Sequence, residues 1–464
     1  MSQEAFRIIV FLCAFASGSH IANPLCANGE APNVLLILVD DLGYGDLSSY
    51  GATDLHTPHI DSLVTGGMKW TNFYANCPVC SPTRAALLTG RYPDLVGVPG
   101  VIRTFSNDSW GLLDPNVELL PAALKRAGYQ TAIVGKWHLG LAEPNTPTLR
   151  GFDHFHGFLG DMMDDYYSHL RNNRNYMRLD RQEITPPATH ATDLFADWAC
   201  QWLQSVREDS PFFLYLAFNA PHDPVQPPAS ALARYRNRYP ATDLIRARYA
   251  AFVEHLDLAI GKVTDTLHST GRDENTLIIF TSDNGGSAAE NNDSRYPDDN
   301  YPAGKIPGNN APLRGKKGDL YEGGIRVPTI VSWPGRLAAG AKCTTPIHVT
   351  DWMPTFCSLA GYSPEKDLSW DGSDIWPSLA EQAPRTSPPL YWVGNSARNS
   401  AVRVGDWKLI THHADSDPKH ELFNLAQDPQ EAVNLADEKP DVLAELVDTM
   451  ASLAQADGDS IAND

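Results

Sequence analysis

Four stretches of the chain are almost uninterruptedly apolar: Val34–Val39, Thr131–Val134, Phe212–Phe218 and Leu277–Phe280. Strict alternation would mark a strand wet on one face, whereas continuous short runs rich in β-branched and aromatic residues mark strands buried on both faces of a parallel sheet. Between them, Glu118–Ala127, Thr192–Val206 and Arg248–Leu267 are amphipathic and read as crossover helices. This order predicts an α/β fold with helices on both faces of a large sheet. Beyond residue 385 the rhythm changes. Tyr391–Trp392, Ala401–Val404, Trp407–Ile410 and Glu421–Phe423 are short and separated by turn residues, which predicts antiparallel strands, and Asp441–Ala454 reads as an amphipathic helix behind Pro440. The expected division is a large unit over 31–385 and a smaller one over 386–464, behind a leader over 1–28.

The polar residues that end the apolar runs carry the chemistry. Asp40-Asp41 follows the first run, Asp283-Asn284 the last, Lys136 and His138 the second, and His222 the third. Open parallel sheets place their sites outside the carboxyl ends of the strands, so these groups should converge on one edge. Asp40, Asp41, Asp283 and Asn284 are hard oxygen donors, suited to Ca²⁺ or Mg²⁺ and poorly to zinc. A single aspartate after a strand more often caps the next helix. Two such pairs, each directly behind a buried strand, are harder to explain that way. Lys136 and His138 stand two apart and in an extended segment would face the same side. His222 follows Pro221 on a loop, where a lone histidine is more often a surface or satisfied one.

The segment NCPVCSPTRAALLTGRYP, with Cys77 and Cys80 as its cysteines, predicts a helix with Pro82 in its first turn and Gly90 at its exit. Cys80 then lies at the helix N-terminus, where unbonded N–H groups favour an anion, and Arg84 lies one turn on, able to reach an oxyanion beside residue 80. Two other readings stand beside this one: a buried cysteine next to a surface arginine, or a redox or zinc pair made with Cys77.

Size and charge narrow the field. With 464 residues and 42% hydrophobic content, the chain can build one large core and a smaller appended unit. A net charge of −20 speaks against nucleic acid and anionic membrane surfaces, but not against an anion bound by a local cluster of cations. Ile8–Ala16 is too short to span a bilayer and fits the apolar part of a signal peptide, so export to the periplasm or medium is expected. Cys13 leaves with that segment, and Cys200, Cys343 and Cys357 suggest no dense disulfide framework.

Taken in order, these segments resemble the type I sulfatases, formylglycine-dependent members of the alkaline phosphatase superfamily. Cys80-Ser-Pro-Thr-Arg84 is similar to the signature Cys-x-Pro-x-Arg, whose cysteine is oxidised after translation to Cα-formylglycine. GYQTAIVGKWH, ending in His138, resembles the second signature, and NVLLILVDDLGYG from Asn33 the opening strand and metal loop. LRGKKGDLYEGGIR from Leu313 resembles the lysine-bearing loop, and Glu421–Pro429 with Asn434-Leu435 the C-terminal hairpin. The likeness covers essentially the whole chain after the leader. Thr83 stands where serine is common, and Lys316-Lys317 where Gly-Lys is frequent; register with Leu313-Arg314 favours Lys317.

The resemblance implies an alkaline-phosphatase-like fold, a large mixed sheet sandwiched by helices, with a C-terminal antiparallel sheet and helix. It implies hydrolysis of sulfate esters by hydrated formylglycine at position 80, one hydroxyl of which attacks sulfur. One divalent cation, Ca²⁺ before Mg²⁺, would be ligated by Asp40, Asp41, Asp283 and Asn284, with residue 80 itself as a further ligand. Arg84, Lys136 and Lys317 would hold the charge of the transition state, His222 or Lys317 would protonate the leaving alcohol, and His138 would take the proton whose loss expels sulfate. A maturation enzyme that generates formylglycine is implied as a partner. The rival readings are a phosphate or phosphonate monoester hydrolase on the same fold, which typically needs two metals, and an inactive binding scaffold. Carbohydrate sulfate is favoured over small aryl sulfates because GFDHFHGFLGDMMDDYYSHLRNNRNY, from Gly151 to Tyr176, offers tyrosines and Asp164-Asp165 that could meet sugar or serve as packing and caps. Arg103 is a further candidate for a neighbouring anionic group.

Overall fold

The computed structural model describes residues 31–288, 290–291, 304–380, 385–394, 399–413 and 418–458; the expected leader, with Ile8–Ala16, lies outside them. The four apolar runs become neighbouring strands, in spatial order Thr276–Ser282, Asn33–Val39, Phe212–Ala217 and Gln130–Lys136, all parallel. His154–Phe158 adds a fifth parallel strand. Thr329–Ser332, Met68–Trp70 and Ala341–Cys343 extend the sheet on one side, Met177–Leu179 and Gln182–Glu183 on the other, each flank joined to the parallel core by an antiparallel pairing.

Strand Phe212–Ala217 shows why continuous apolar runs were needed. Phe212 meets Trp202 edge-on at 5.8 Å, while Phe213, pointing the opposite way, lies 6.2 Å from Phe356. Trp202 belongs to helix Ala191–Ser205 and Phe356 to helix Trp352–Leu359, so helices cover both faces. Three predicted helices form with shifted ends: Leu120–Arg126, Ala191–Ser205 and Leu244–Ser269. The last begins early because Asp243 accepts from the N–H of Arg246 and caps it there.

The last stretch builds a separate antiparallel sheet of Leu390–Val393, Asn399–Val404, Trp407–His412 and Lys419–Asn424. Alternation divides its side chains. Trp392, Ala401, Ile410 and Phe423 pack on Tyr74, Leu320 and Ile325 of the large unit, whereas Tyr391, Val402, Leu409 and Leu422 pack on Leu446 and Met450 of helix Pro440–Ala454. Beneath this sheet the buried Lys408 ammonium donates to Glu322 at 2.9 Å and to Glu431 at 2.8 Å. The second oxygen of Glu322 accepts from the Tyr74 hydroxyl (2.7 Å) and from Arg326 (3.3 Å), and that of Glu431 accepts the Glu322 N–H (2.7 Å). Arg403 donates to the Tyr74 oxygen. Burial pushes the Glu431 carboxyl up to about 7, with Lys408 opposing and Glu322 adding to it. For Glu322 burial is outweighed by Lys408, Arg326 and Arg403, which hold it at about 2.

Candidate active site

The predicted helix spans Cys80–Thr89. Pro82 supplies no N–H where the first turn would leave one unbonded, and Gly90 ends the helix at φ 68°, its N–H returning to the carbonyl of Ala86. Thr83 Oγ1 accepts the N–H of Cys77 and donates to the Cys77 carbonyl, pinning the entering loop. The whole helix is buried and Cys80 is 3% exposed.

Strands Asn33–Val39 and Thr276–Ser282 run side by side with Val39 opposite Ser282, so the polar pairs behind them meet. The Asp41 N–H donates to Asp283 Oδ1 at 3.3 Å and Asn284 Nδ2 to Asp41 Oδ1 at 2.7 Å. Arg84 places Nε and Nη2 on Asp283 Oδ2 at 3.0 and 2.7 Å, with Nη2 3.6 Å from Asp40. Lys136, at the end of Gln130–Lys136, donates to Asp40 Oδ2 at 2.5 Å. Gly135 before it adopts φ 104°, and a Cβ there would lie 2.0 Å from the Ala217 carbonyl oxygen, so only glycine permits this approach of the strands. Lys317 donates to Asp41 Oδ2 at 2.8 Å and lies 3.1 Å from His222 Nε2, while Lys316 is exposed. Ligand atoms of Cys80, Asp40, Asp41 and His222 all lie within 4.8 Å of one another. The ten residues singled out in the sequence therefore reach one edge of the sheet.

Three details differ from the sequence reading. His138 lies past the strand end with φ 58°, so two-residue alternation does not carry through; its Nε2 is 2.8 Å from the Ile102 carbonyl oxygen. The Arg84 fork is engaged by Asp283, with Nη1 on the Lys136 carbonyl at 3.3 Å, partners that the sequence reading did not name. Cys77 and Cys80 are free thiols with different surroundings: Cys77 Sγ faces the Val393 carbonyl at 3.9 Å, and burial pushes its thiol up to about 12. No disulfide joins them.

Burial works against every charge here, and neighbours decide the outcome. Burial lowers His138 well below its ordinary value, and Lys136 and Arg84 add to that, so its ring is neutral. Burial would raise Asp40, but Lys136, His222 and Arg84 outweigh it and hold the carboxylate well below the usual range. Asp283 is pushed up to about 6 by burial and by Asp40 and Asp41, against Arg84. Burial and Lys317 would lower His222, yet Asp41, Asp223 and Asp40 raise it well above its ordinary value.

A family profile described as Sulfatase matches residues 32–362. The chain belongs to the sulfatase family. A second profile, N-sulphoglucosamine sulphohydrolase, C-terminal, matches residues 316–456. The sulfatase is 33% identical to arylsulfatase J of Mus musculus, over 91% of this chain and 75% of that protein. It is also 33% identical to N-acetylgalactosamine-6-sulfatase of Rattus norvegicus, over 82% of this chain and 71% of that protein. The crystal structure of Ps i-CgsB in complex with k-i-k-neocarrahexaose matches it with a TM-score of 0.81 and 31% identity, over 92% of this chain and 94% of that one. The sulfatase is thus a sulfuric ester hydrolase of alkaline-phosphatase-like α/β fold, with the expected mixed sheet and C-terminal antiparallel sheet.

Members of the family generally work with a formylglycine and a divalent cation, and the residues present fit such a cation. Asp40 Oδ1 and Asn284 Oδ1 are fully buried and accept no hydrogen bond among the described residues. Oxygens left so cost about 1–3 kcal/mol each unless something positive meets them. Three carboxylates and an amide oxygen make a hard donor set.

Other residues of the sulfatase site escaped the sequence reading. His222 Nδ1 is 2.7 Å from the Asp223 carbonyl and 3.0 Å from its carboxylate. The spacing Pro221-His222-Asp223-Pro224 could have signalled that partner. Tyr166, whose hydroxyl donates to the His222 carbonyl at 2.9 Å, is 56 residues away in sequence, and nothing local points to it. The Asp164-Asp165 pair is occupied by its own fold. Asp164 accepts from Arg171 and from the N–H of Asn172, and Asp165 from the N–H groups of Tyr167 and Ser168 and from Gln226. These contacts show the pair acting in packing and capping.

No helix among the described residues is long and apolar enough to cross a membrane.

Proposed function

We propose that this sulfatase removes sulfate from carbohydrate esters, with Cys80 in its Cα-formylglycine form and a calcium ion held by Asp40, Asp41, Asp283 and Asn284. The observation that carries the reading is the convergence of Cys80, Asp40, Asp41 and His222 within 4.8 Å, beside the cations of Arg84, Lys136 and Lys317. In its formylglycine form, residue 80 would supply a nucleophilic hydroxyl and a second one whose deprotonation would release the product. A divalent cation held there would lower the pKa of a neighbouring hydroxyl and neutralise sulfate oxygens.

The rest is done by the chain's own groups. Arg84 and Lys136 fix Asp283 and Asp40 in place and give the cleft the positive charge that an anion of tetrahedral oxygens requires. His222 is held through Nδ1 by Asp223, which leaves Nε2 facing Lys317; either can hand a proton to the leaving alcohol. Because a carbonyl oxygen only accepts, the contact between Ile102 O and His138 puts the ring proton on Nε2. His138 Nδ1, buried and without a partner among the described residues, then carries a lone pair able to take a proton.

The carbohydrate part is supported by the relatives, one a sulfatase of N-acetylgalactosamine and one solved with a neocarrahexaose. Residues 1–28 serve as an export leader, 31–385 as the catalytic unit and 386–464 as the C-terminal unit, and a formylglycine-generating enzyme converts Cys80. The test is release of sulfate from a panel of defined sulfated saccharides, beside nitrophenyl sulfate and nitrophenyl phosphate. Saccharide turnover supports the reading. Turnover of the aryl sulfate alone rejects the carbohydrate substrate, and faster turnover of the phosphate rejects sulfate hydrolysis as the main activity.

A further inference from the structure

Two loops are anchored to the catalytic machinery and meet beyond it. The first runs from Val101 to Trp110. Its Ile102 is locked on both sides, the N–H on Ser81 Oγ at 3.1 Å and the carbonyl facing His138 Nε2 at 2.8 Å. The loop folds back on itself through Trp110 N–H to the Val101 carbonyl (2.9 Å) and Arg103 N–H to Ser109 Oγ (3.1 Å). The second is the hairpin of Leu170–Arg171 and Arg174–Asn175. It belongs to the segment from Gly151 to Tyr176, whose Leu159 carbonyl accepts the His138 N–H at 3.3 Å. Inside that segment Arg171 is consumed by Asp161 and Asp164. The loops then touch: Asn172 Nδ2 donates to Thr104 Oγ1 at 3.0 Å, and the Arg174 guanidinium lies 5.8 Å from the centre of the Phe105 ring.

What this junction offers to solvent is unusual for so acidic a chain. Phe105 is 43% and Trp110 44% exposed. Arg103 and Arg174 are exposed, and neither has a carboxylate partner among the described residues. Large exposed rings beside unpaired guanidinium groups are costly to leave bare and match a ligand with an apolar face and an anionic substituent. Sugar rings present such a face.

We infer that Arg103, Phe105, Trp110 and Arg174 form a subsite for the saccharide unit next to the one being desulfated, the rings taking its face and the arginines a second sulfate. This rests on the carbohydrate-sulfate reading above and names its substrate class as multiply sulfated oligosaccharides.

The test compares two disaccharides that share one scissile sulfate, one of them carrying a second sulfate on the neighbouring sugar. The wild type should prefer the disulfated compound in kcat/KM, mainly through KM. In the Arg103→Gln/Arg174→Gln double variant that preference should fall about tenfold or more, since charged hydrogen bonds are being removed. Phe105→Ala and Trp110→Ala should raise KM for both disaccharides about equally. Melting temperatures of the variants, all changed at exposed positions, separate loss of the subsite from loss of the fold. A wild type without preference, or a double variant whose preference stays within about twofold of wild type, overturns the subsite while leaving carbohydrate hydrolysis intact. Failure of the wild type on both disaccharides, with aryl sulfate still turned over, overturns the carbohydrate reading and this subsite with it.

Discussion

Lys408 and Lys136 are both completely buried, yet the groups around them end differently. Around Lys408, under the C-terminal sheet, each charged atom of Glu322 and Glu431 has a partner, and the cluster is closed. Around Lys136, at the edge of the large sheet, Asp40 and Asn284 each keep one buried oxygen that accepts no hydrogen bond among the described residues. Burial is equal in the two places; completeness is not. A closed cluster fixes how one unit docks on another, whereas an open one is organised for something brought from outside.

The comparison breaks if the two clusters respond alike to substitution. The largest effect is expected from Cys80→Ala, which should lower turnover of nitrophenyl sulfate by at least about 10⁴-fold. Its melting temperature should stay near that of the wild type, because a small side chain at a helix mouth contributes little to the core. Retained turnover would remove residue 80 from the chemistry.

Lys408→Met should do the reverse. Two buried carboxylates would lose their shared cation, at a cost of about 3–5 kcal/mol in unfolding free energy read from urea denaturation. Activity per folded molecule should persist. A stable variant would mean that the closed cluster is not needed for docking.

Removal of divalent ions by chelation should come next, lowering stability by about 3 kcal/mol if the ion is normally present near a hundredfold above its Kd. Calcium should restore more than magnesium does, and Asp283→Ala should blunt the response. An unchanged melting temperature would leave the orphan oxygens unexplained by a metal.

The smallest effect sharpens the comparison through pH. The Glu431 carboxyl sits at about 7 in the fold against 4.5 in an unfolded chain, so the native state retains a proton the unfolded state has lost. Its contribution to stability is full below 4.5 and disappears as pH rises through 7. Whatever constant offset Glu431→Gln introduces, its melting temperature relative to wild type should therefore improve steadily from pH 4.5 to 7. A flat difference across that window would show that this carboxyl is not raised.

Much of this was legible in the chain before folding was considered. Asp40-Asp41 and Asp283-Asn284 could be read because a buried parallel strand is a local pattern and its end is a defined place. Cys80 and Arg84 could be read because Pro82 and Gly90 mark the helix that carries them. What escaped depends on long-range approach: Tyr166 on the carbonyl of His222, Ile102 selecting the tautomer of His138, and Asp283 accepting from the fork of Arg84. The outer strands Met68–Trp70 and Ala341–Cys343 are three residues each, too short for periodicity to register.

The contact between Arg84 and Asp283 joins positions 199 residues apart. Ribosomes add roughly 5–20 residues per second, so the chain carrying Cys80 exists for about 10–40 seconds before the strand that completes its surroundings has been made. Until then the packing that leaves Cys80 3% exposed is incomplete. Chemistry performed on that residue from outside thus has a deadline, set by the order in which the strands of one sheet are encoded.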